Sequence, residues 1–191
     1  DYAIYTLQTL CDQAGSSIEK IHFMEMLDQG ALIDEATGLF NPNAFYLRLQ
    51  EEYIRSADYN FPMSLCLFRI DKYAALDPDK YSGRMEQVIY HLVDIVKKSL
   101  KSYDIFGRLD SGTFAILLIG KKSEEAKIWS ERLRQEIAIS VLEIDSQQFT
   151  VTISMGVAGA ESSASLDELI GNSKKMLKKS SEKTNNVSVF S

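Results

Sequence analysis

The feature of this sequence that most constrains its fold is the stretch over residues 106–120, which reads Phe-Gly-Arg-Leu-Asp-Ser-Gly-Thr-Phe-Ala-Ile-Leu-Leu-Ile-Gly. Short apolar runs flank Asp-Ser-Gly-Thr, which is a cluster of turn-forming residues. The pattern predicts a β-hairpin whose second strand is fully buried. A hairpin tip projects beyond the packed sheet, so its residues carry function more often than those of a core strand. A plain tight turn is the alternative interpretation.

Apolar residues elsewhere recur with helix or strand spacing and predict a mixed order of elements. Before the hairpin we expect a helix over residues 42–55, a strand over 61–71 and a helix over 84–101. After it come a helix over 123–139, strands over 141–144 and 149–157, a helix opened by a capping box at Ser165, and an edge strand over 187–190. This order favours an α+β fold, with a mixed sheet and helices on both faces.

The first residues predict one further, long helix over positions 2–27. Ile4, Leu7 and Cys11 begin a series of apolar or small residues at alternating spacings of three and four, which is the spacing of a coiled-coil seam. The helix is interpreted either as a signalling stalk or as a terminal helix packed on its own domain. Because the chain starts at Asp1 rather than Met, we expect it to be a fragment of a longer protein.

Charge and composition narrow the functional classes. The net charge of −6 argues against a nucleic-acid-binding protein, because such proteins normally need a basic surface. The longest uninterrupted apolar run, residues 114–119, is far shorter than the roughly 20 residues of a membrane-spanning helix. Cys11 and Cys66 fall in a predicted helix and a predicted buried strand, which fits reduced thiols. We therefore expect a cytoplasmic protein, or the cytoplasmic part of a larger membrane-associated one.

Candidate ligand-binding side chains lie where the strand over residues 61–71 ends. Strand alternation places Arg69 and Asp71 on one face, at the carboxyl end, where ligands collect in open α/β sheets. An ordinary exposed ion pair is the alternative interpretation. His22 and His91 lie far apart in the sequence, so no histidine-based metal site is predicted.

The last helix predicts a local positive patch on this acidic chain. We interpret the patch either as a solvated face or as a phosphate-binding surface. Its members are Lys174, Lys175, Lys178, Lys179 and Lys183.

Two motifs resemble those of a known family. Residues 34–41, Asp-Glu-Ala-Thr-Gly-Leu-Phe-Asn, are similar to the opening D-x-L-T-G-L-x-N of GGDEF domains, and residues 153–158, Ile-Ser-Met-Gly-Val-Ala, are similar to their S-I-G-V-A strand. GGDEF domains are the diguanylate cyclases that join two GTP molecules into cyclic di-GMP. The resemblance implies a nucleotide-cyclase palm fold with a ferredoxin-like core over residues 31–191. It also implies that residues 1–30 are a linker helix from an upstream sensor domain.

The signature positions of that family are replaced in this chain. Where the family has G-G-D/E-E-F, residues 110–114 read Asp-Ser-Gly-Thr-Phe, and where it has D-x-D, residues 69–71 read Arg-Ile-Asp. Arg69 and Gly112 thus stand at the two positions of metal-binding carboxylates. Since phosphoryl transfer of this kind depends on divalent ions, we expect no bound metal, no cofactor and no cyclase activity.

The resemblance still implies nucleotide binding. The guanine-reading positions of the family fall on Asp77 and Glu86, Arg69 could contact a phosphate, and the inhibitory R-x-x-D site falls on Lys101 and Asp104. The predicted function is that of an inactive regulatory domain, a receptor for cyclic di-GMP or GTP that relays a signal to a partner protein. A non-binding scaffold is the alternative, either for other proteins or for a homodimer through the N-terminal helix.

Overall fold

The computed structural model of the chain describes residues 32–71 and 78–190. The predicted helix over residues 2–27, the linker over 1–30 and Asp77 lie outside the described residues. From Ile33 onward the chain is one compact unit. Numbered in chain order, the described elements are α1 (Pro42–Tyr59), β1 (Met63–Ile70), α2 (Pro78–Ser99), β2 (Ile105–Arg108), β3 (Thr113–Ile119), α3 (Ser123–Ile139), β4 (Leu142–Ile144), β5 (Gln147–Phe149), β6 (Ile153–Gly159), α4 (Leu166–Ser181) and β7 (Val187–Phe190).

The main sheet has five strands in the order β2-β3-β1-β6-β7. β1 is central and pairs antiparallel with both β3 and β6, whereas β6 and β7 are parallel. The predicted hairpin is formed by β2 and β3, and every residue of β3 is buried, as its unbroken apolar run predicts. The mixed sheet of the α+β prediction is therefore present.

Helices cover both faces of this sheet, and the alternation of β1 decides which residue meets which helix. Cys66, Phe68 and Ile70 pack in the core that contains the buried residues of α2 and α3. Leu65 and Leu67 point to the opposite face of the strand and pack in the core that contains residues of α1 and α4. Arg69 continues the second series, so it lies on the face that α4 covers.

Three differences from the prediction are larger than a shift of one or two residues at the end of an element. α1 continues to Tyr59, because Asn60 adopts a left-handed conformation and caps it. α2 begins at Pro78, where a proline at the first helical position loses no hydrogen bond. The predicted strand over 149–157 is two strands in two sheets, β5 and β6, since β5 pairs with β4 through a turn in which Asp145 and Ser146 have positive φ.

α4 approaches the sheet closely because β6 presents small residues to it. A Cβ atom on Gly156 would lie 2.5 Å from the carbonyl oxygen of Ser173 on that helix. The Ser173 hydroxyl donates hydrogen bonds to the carbonyl oxygens of Leu65, over 3.2 Å, and Leu169. The helix is thereby fixed against β1 and β6, and its position at the site follows from this contact.

Within the described ranges, no helix combines the length and the apolar character needed to cross a membrane.

Candidate functional site

The tip of the β2–β3 hairpin lies beside the end of β1. β1 and β3 are antiparallel, and Arg69 of β1 lies directly opposite Thr113 of β3. The Arg69 Nε atom donates a hydrogen bond to the Thr113 hydroxyl oxygen over 3.2 Å. Arg69 is exposed while the rest of β1 is buried. The guanidinium group is therefore anchored by the hairpin and open to solvent.

Asp71 belongs to the framework around the site. Its Oδ2 atom accepts hydrogen bonds from the Thr152 hydroxyl and from the backbone amide of Asn185, both over 2.7 Å. Its Oδ1 atom accepts one from the Ser154 hydroxyl over 2.6 Å. These bonds connect the end of β1 to β6 and to the loop before β7. The alternative of an Arg69–Asp71 ion pair is not formed.

Side-chain hydrogen bonds hold the turn of the hairpin. The Asp110 Oδ1 atom accepts from the backbone amides of Gly112, over 2.9 Å, and Thr113, over 2.8 Å. Arg108 donates from Nε to the carbonyl oxygen of Asp110 and from Nη2 to that of Ser111, each over 3.1 Å. The conformation of the turn is thus held by the side chains of Asp110 and Arg108, which belong to the hairpin itself.

Arg108 also connects the turn to the start of the domain. Its Nη1 atom lies 3.2 Å from Asp34 Oδ1, and the same oxygen accepts from the Thr37 hydroxyl over 2.6 Å. Burial raises the pKa of Asp34, but the hydrogen bonds from Thr37 and Arg108 and the charge of Arg108 outweigh it and lower the pKa below its ordinary value. Asp34 is therefore an ionised link between the opening loop and the hairpin.

A cavity of about 620 Å³ lies between the hairpin tip and α4. Arg69 and Thr113 stand on its sheet side, and Lys174 and Lys178 on its helix side. Its lining is completed by the apolar side chains of Leu67, Leu109 and Leu177 and by the polar ones of Asp110, Ser181 and Glu182. The structure thus brings the predicted residue Arg69 together with two lysines of the predicted positive patch.

The resemblance implies a divalent metal ion at this place, and the residues present do not fit one. Arg69 is a cation, Gly112 has no side chain, and both carboxylate oxygens of Asp71 are occupied by protein donors. Divalent ions such as Mg²⁺ bind through oxygen ligands, chiefly carboxylates. In the described part of the chain, no group of three or more His, Cys, Asp or Glu side chains could hold a metal ion.

Lys101 and Asp104 line a different cavity, of about 340 Å³, together with residues of the opening loop and the end of α2. The Asp104 carboxylate accepts hydrogen bonds from the backbone amides of Lys101, over 2.9 Å, and Ile119, over 3.0 Å. The Lys101 Nζ atom lies 5.5 Å from the centre of the Tyr103 ring. A hydrogen bond with the Tyr103 side chain raises the pKa of Lys101. Asp104 therefore has a structural role, and Lys101 is the accessible member of the pair.

Glu86 is exposed on α2 and lines neither cavity. Its neighbours Arg84 and Met85 line a third cavity, of about 400 Å³, which also contains Asp71. Arg84 Nη2 lies 3.1 Å from Asp145 Oδ2. The four predicted ligand residues that the structure describes, Arg69, Glu86, Lys101 and Asp104, are thus not gathered in one place.

Two contributions to the site were not predicted. Thr113 anchors Arg69, and Asp110 holds the turn, although both appeared only as replaced signature residues. The spacing of Lys174 and Lys178, four residues apart, places them on one side of a helix and could have separated them from Lys175 and Lys179. Which side faces the hairpin is not contained in that spacing.

Comparison with known proteins gives the family and the fold. Residues 31–187 match the family described as diguanylate cyclase, GGDEF domain. Diguanylate cyclase DgcP of Pseudomonas aeruginosa is 27% identical over 133 residues, which cover 70% of this chain and 20% of that protein. The chain thus spans a fifth of the length of that relative.

Two solved structures share the fold. The GGDEF domain of DgcB from Caulobacter crescentus, in complex with c-di-GMP, has a TM-score of 0.76 and 19% identity, covering 84% of this chain and 96% of that one. Diguanylate cyclase SiaD from Pseudomonas aeruginosa, in complex with its activator SiaC, has a TM-score of 0.76 and 18% identity, covering 98% of this chain and 73% of that one. They confirm the predicted fold.

Proposed function

The chain belongs to the GGDEF domain family, and on that premise we propose that it is a catalytically inactive member. In this proposal it binds a guanine nucleotide, cyclic di-GMP or GTP, and relays a signal to a partner protein. The linker over residues 1–30, homodimerisation through its helix, and a cytoplasmic location, where both nucleotides are available, belong to the same proposal.

The hydrogen bond between Arg69 and Thr113 is the observation that carries the loss of catalysis. It lies where the resemblance implies metal-binding carboxylates. A guanidinium at this point repels a divalent cation, and phosphoryl transfer without that cation loses the neutralisation of phosphate charge. The Asp71 carboxylate, which already accepts three hydrogen bonds from the protein, is a poor substitute ligand.

Two cavities of the domain, one beside Lys101 and one beside Arg69, support the proposal that it binds a ligand. Lys101 lines a cavity whose volume of about 340 Å³ is within the range of small-molecule sites. The cavity beside Arg69 is larger. The DgcB domain was solved with c-di-GMP, and SiaD with an activator protein, so a nucleotide and a protein partner are both chemically reasonable for a domain of this fold.

The first test is catalytic. The chain is incubated with GTP and Mg²⁺ or Mn²⁺, and the products are separated by liquid chromatography. We expect no cyclic di-GMP. Formation of cyclic di-GMP that grows with enzyme concentration would show that the domain is an active cyclase and would overturn the proposal.

The second test is calorimetric titration with cyclic di-GMP and then with GTP. We expect micromolar binding of at least one of them. For cyclic di-GMP, Lys101→Gln should weaken binding, whereas Lys127→Gln, which removes an exposed lysine of α3, should leave it unchanged. Asp104→Ala is unsuitable here because it removes the acceptor of two backbone amides. If neither nucleotide binds, the receptor proposal is wrong.

A further inference from the structure

Three cationic side chains from two elements line the cavity between α4 and the hairpin. Arg69 comes from the end of β1, and Lys174 and Lys178 lie one turn apart on α4. Over the ranges that the structure describes, none of the three forms an ion pair with a carboxylate. On a chain with a net charge of −6, three unpaired cations around one concavity indicate a site for a strongly anionic ligand.

We propose that this cavity binds the polyphosphate group of a nucleotide directly, with Arg69, Lys174 and Lys178 supplying the positive charge and no divalent metal ion taking part. The inference rests on the proposed function for the presence of a nucleotide. It adds which side chains hold the phosphates, and it assigns the binding a metal-free mode.

The fold fixes the two sides of this site relative to each other. Ser173, the neighbour of Lys174, donates a hydrogen bond to the carbonyl oxygen of Leu65 in β1, four residues before Arg69. The Ser180 hydroxyl, two residues after Lys178, donates to the carbonyl oxygen of Met155 over 2.6 Å. The lysines are thus carried by a stretch of α4 that is bonded to the sheet at both ends, so a ligand meets cations whose backbones are already positioned.

Two carboxylates share the cavity and set a limit on its charge. Asp110 is directed into the hairpin turn, where one of its oxygens accepts two backbone amides. Glu182 follows the end of α4, is exposed, and forms no ion pair with another residue that the structure describes. Three cations against these two anions leave a positive lining. Glu182 is the member whose charge opposes an anionic ligand.

The remaining lining suits the organic part of a nucleotide. Leu67, Leu109 and Leu177 contribute apolar surface. The Ser181 hydroxyl beside them donates to the carbonyl oxygen of Leu177 over 2.9 Å, so it meets a ligand as an acceptor. A volume of about 620 Å³ is within the range of ligand pockets. A guanidinium fork matches phosphate oxygens bidentately, while the two ammonium groups act as point charges.

Metal-free binding and metal-dependent binding predict opposite effects of Mg²⁺ on the affinity for a nucleotide. A nucleoside triphosphate carries more negative charge alone than in its magnesium complex, so a site made of protein cations should prefer the free form. We therefore expect binding to persist in EDTA and to weaken several-fold when Mg²⁺ is added in excess. A site that needs a bridging metal would show the opposite response.

The experiment is calorimetric titration of the whole chain with GTP, and separately with ATP, cyclic di-GMP and inorganic tripolyphosphate, in EDTA at about 0.15 M salt, where the Debye length is about 8 Å. We expect Arg69→Gln and the double variant Lys174→Gln/Lys178→Gln each to weaken GTP and tripolyphosphate binding about tenfold or more. Glu182→Gln should tighten the binding of both.

The matched control is the double variant Lys175→Gln/Lys179→Gln. It removes two exposed lysines from the same helix and changes the net charge equally, but these lysines do not line the cavity. We expect the control to change affinity by less than about twofold, since exposed charges that do not contact the ligand are largely screened at this salt concentration. Circular dichroism and the urea midpoint of each variant show whether it is folded.

Two outcomes separate this inference from the proposed function, and a third overturns both. GTP binding that disappears in EDTA, or falls equally in both double variants, overturns the inference while leaving the receptor in place. Tripolyphosphate binding that depends on Lys174 and Lys178, with GTP bound no better than ATP and cyclic di-GMP not bound, supports the inference and overturns the guanine-nucleotide receptor. If no probe binds to the folded chain, both are wrong.

Discussion

Gly156→Ala tests whether the close contact between α4 and β6 determines the position of the site. A Cβ at this glycine would collide with the backbone nitrogen of Leu177 and lie 2.5 Å from the Ser173 carbonyl oxygen and 2.6 Å from the Leu177 Cα atom. All three are backbone atoms, so no side-chain rotation relieves the clash. The helix has to move away from the sheet, and the hydrogen bonds of its serines to the sheet are strained with it.

The expected cost follows from this geometry. Overpacking against movable side chains costs about 1–3 kcal/mol, and a rigid helix backbone puts this substitution at the top of that range, at about 3 kcal/mol or more. With a urea m-value of about 2 kcal/mol per molar, the midpoint of unfolding should fall by about 1.5 M. Because Lys174 and Lys178 move with the helix, GTP affinity in EDTA should fall as well.

Gly171→Ala is the matched control on the same helix. A Cβ at Gly171 meets nothing within 4 Å, and alanine favours a helix over glycine by about 0.5–1 kcal/mol. We therefore expect the urea midpoint to rise by about 0.25–0.5 M, with ligand affinity unchanged. An unchanged midpoint in Gly156→Ala, or equal midpoints in the two variants, would refute the reasoning that helix and sheet are in backbone contact here.

Three further predictions concern groups outside the cavity. The pKa of Asp34 is lowered in the folded state, so its contribution to stability is present above the unfolded pKa and lost as the pH falls through the folded value. In urea unfolding at pH 7 and pH 3, the free energy of unfolding should therefore fall less on acidification in Asp34→Asn than in wild type. Burial raises the pKa of the Cys66 thiol to about 12, so in a Cys11→Ser background a maleimide should label the chain at pH 8 only after urea is added; rapid labelling of the folded chain would contradict this. Asp104→Ala leaves two backbone amides without their acceptor and should cost about 1–3 kcal/mol in urea unfolding, against less than about 1 kcal/mol for Asp94→Ala, which removes an exposed ion pair.

Most of the helices and strands could be predicted from the sequence, because the spacing of their apolar residues directly reflects which side chains are buried. The all-apolar run of β3 matches a strand that is buried on both faces, and the Ser165 capping box opens a helix whose Glu168 amide donates to the serine hydroxyl oxygen. The division of residues 149–157 into β5 and β6 was missed. Alternation continues through Thr150 to Thr152, so the pattern contains no sign that the strand changes partners.

The candidate site could be predicted only in part. Arg69 follows from the alternation of β1, since a single strand fixes which face its residues occupy. The convergence of Lys174 and Lys178 on Arg69 depends on how α4 crosses the sheet, and that crossing is determined by the contact of Gly156 with the helix backbone. Such a long-range contact has no periodic signal. The same limit applies to Asp104, whose second backbone partner, Ile119, is 15 residues away.

The hairpin explains how the fold can persist when its signature residues change. Two glycines give a turn conformational freedom, but residues 110–113 here have no positive φ, so this turn needs no glycine-specific conformation. Asp110 holds the amides of Gly112 and Thr113, and Arg108 holds the carbonyl oxygens of Asp110 and Ser111. The carboxylate at the tip is thus directed inward as an acceptor for backbone amides. The cross-strand neighbours of Arg69 are Thr113 and Ser154 rather than carboxylates, so the positive charge at the end of β1 remains available to an anionic ligand.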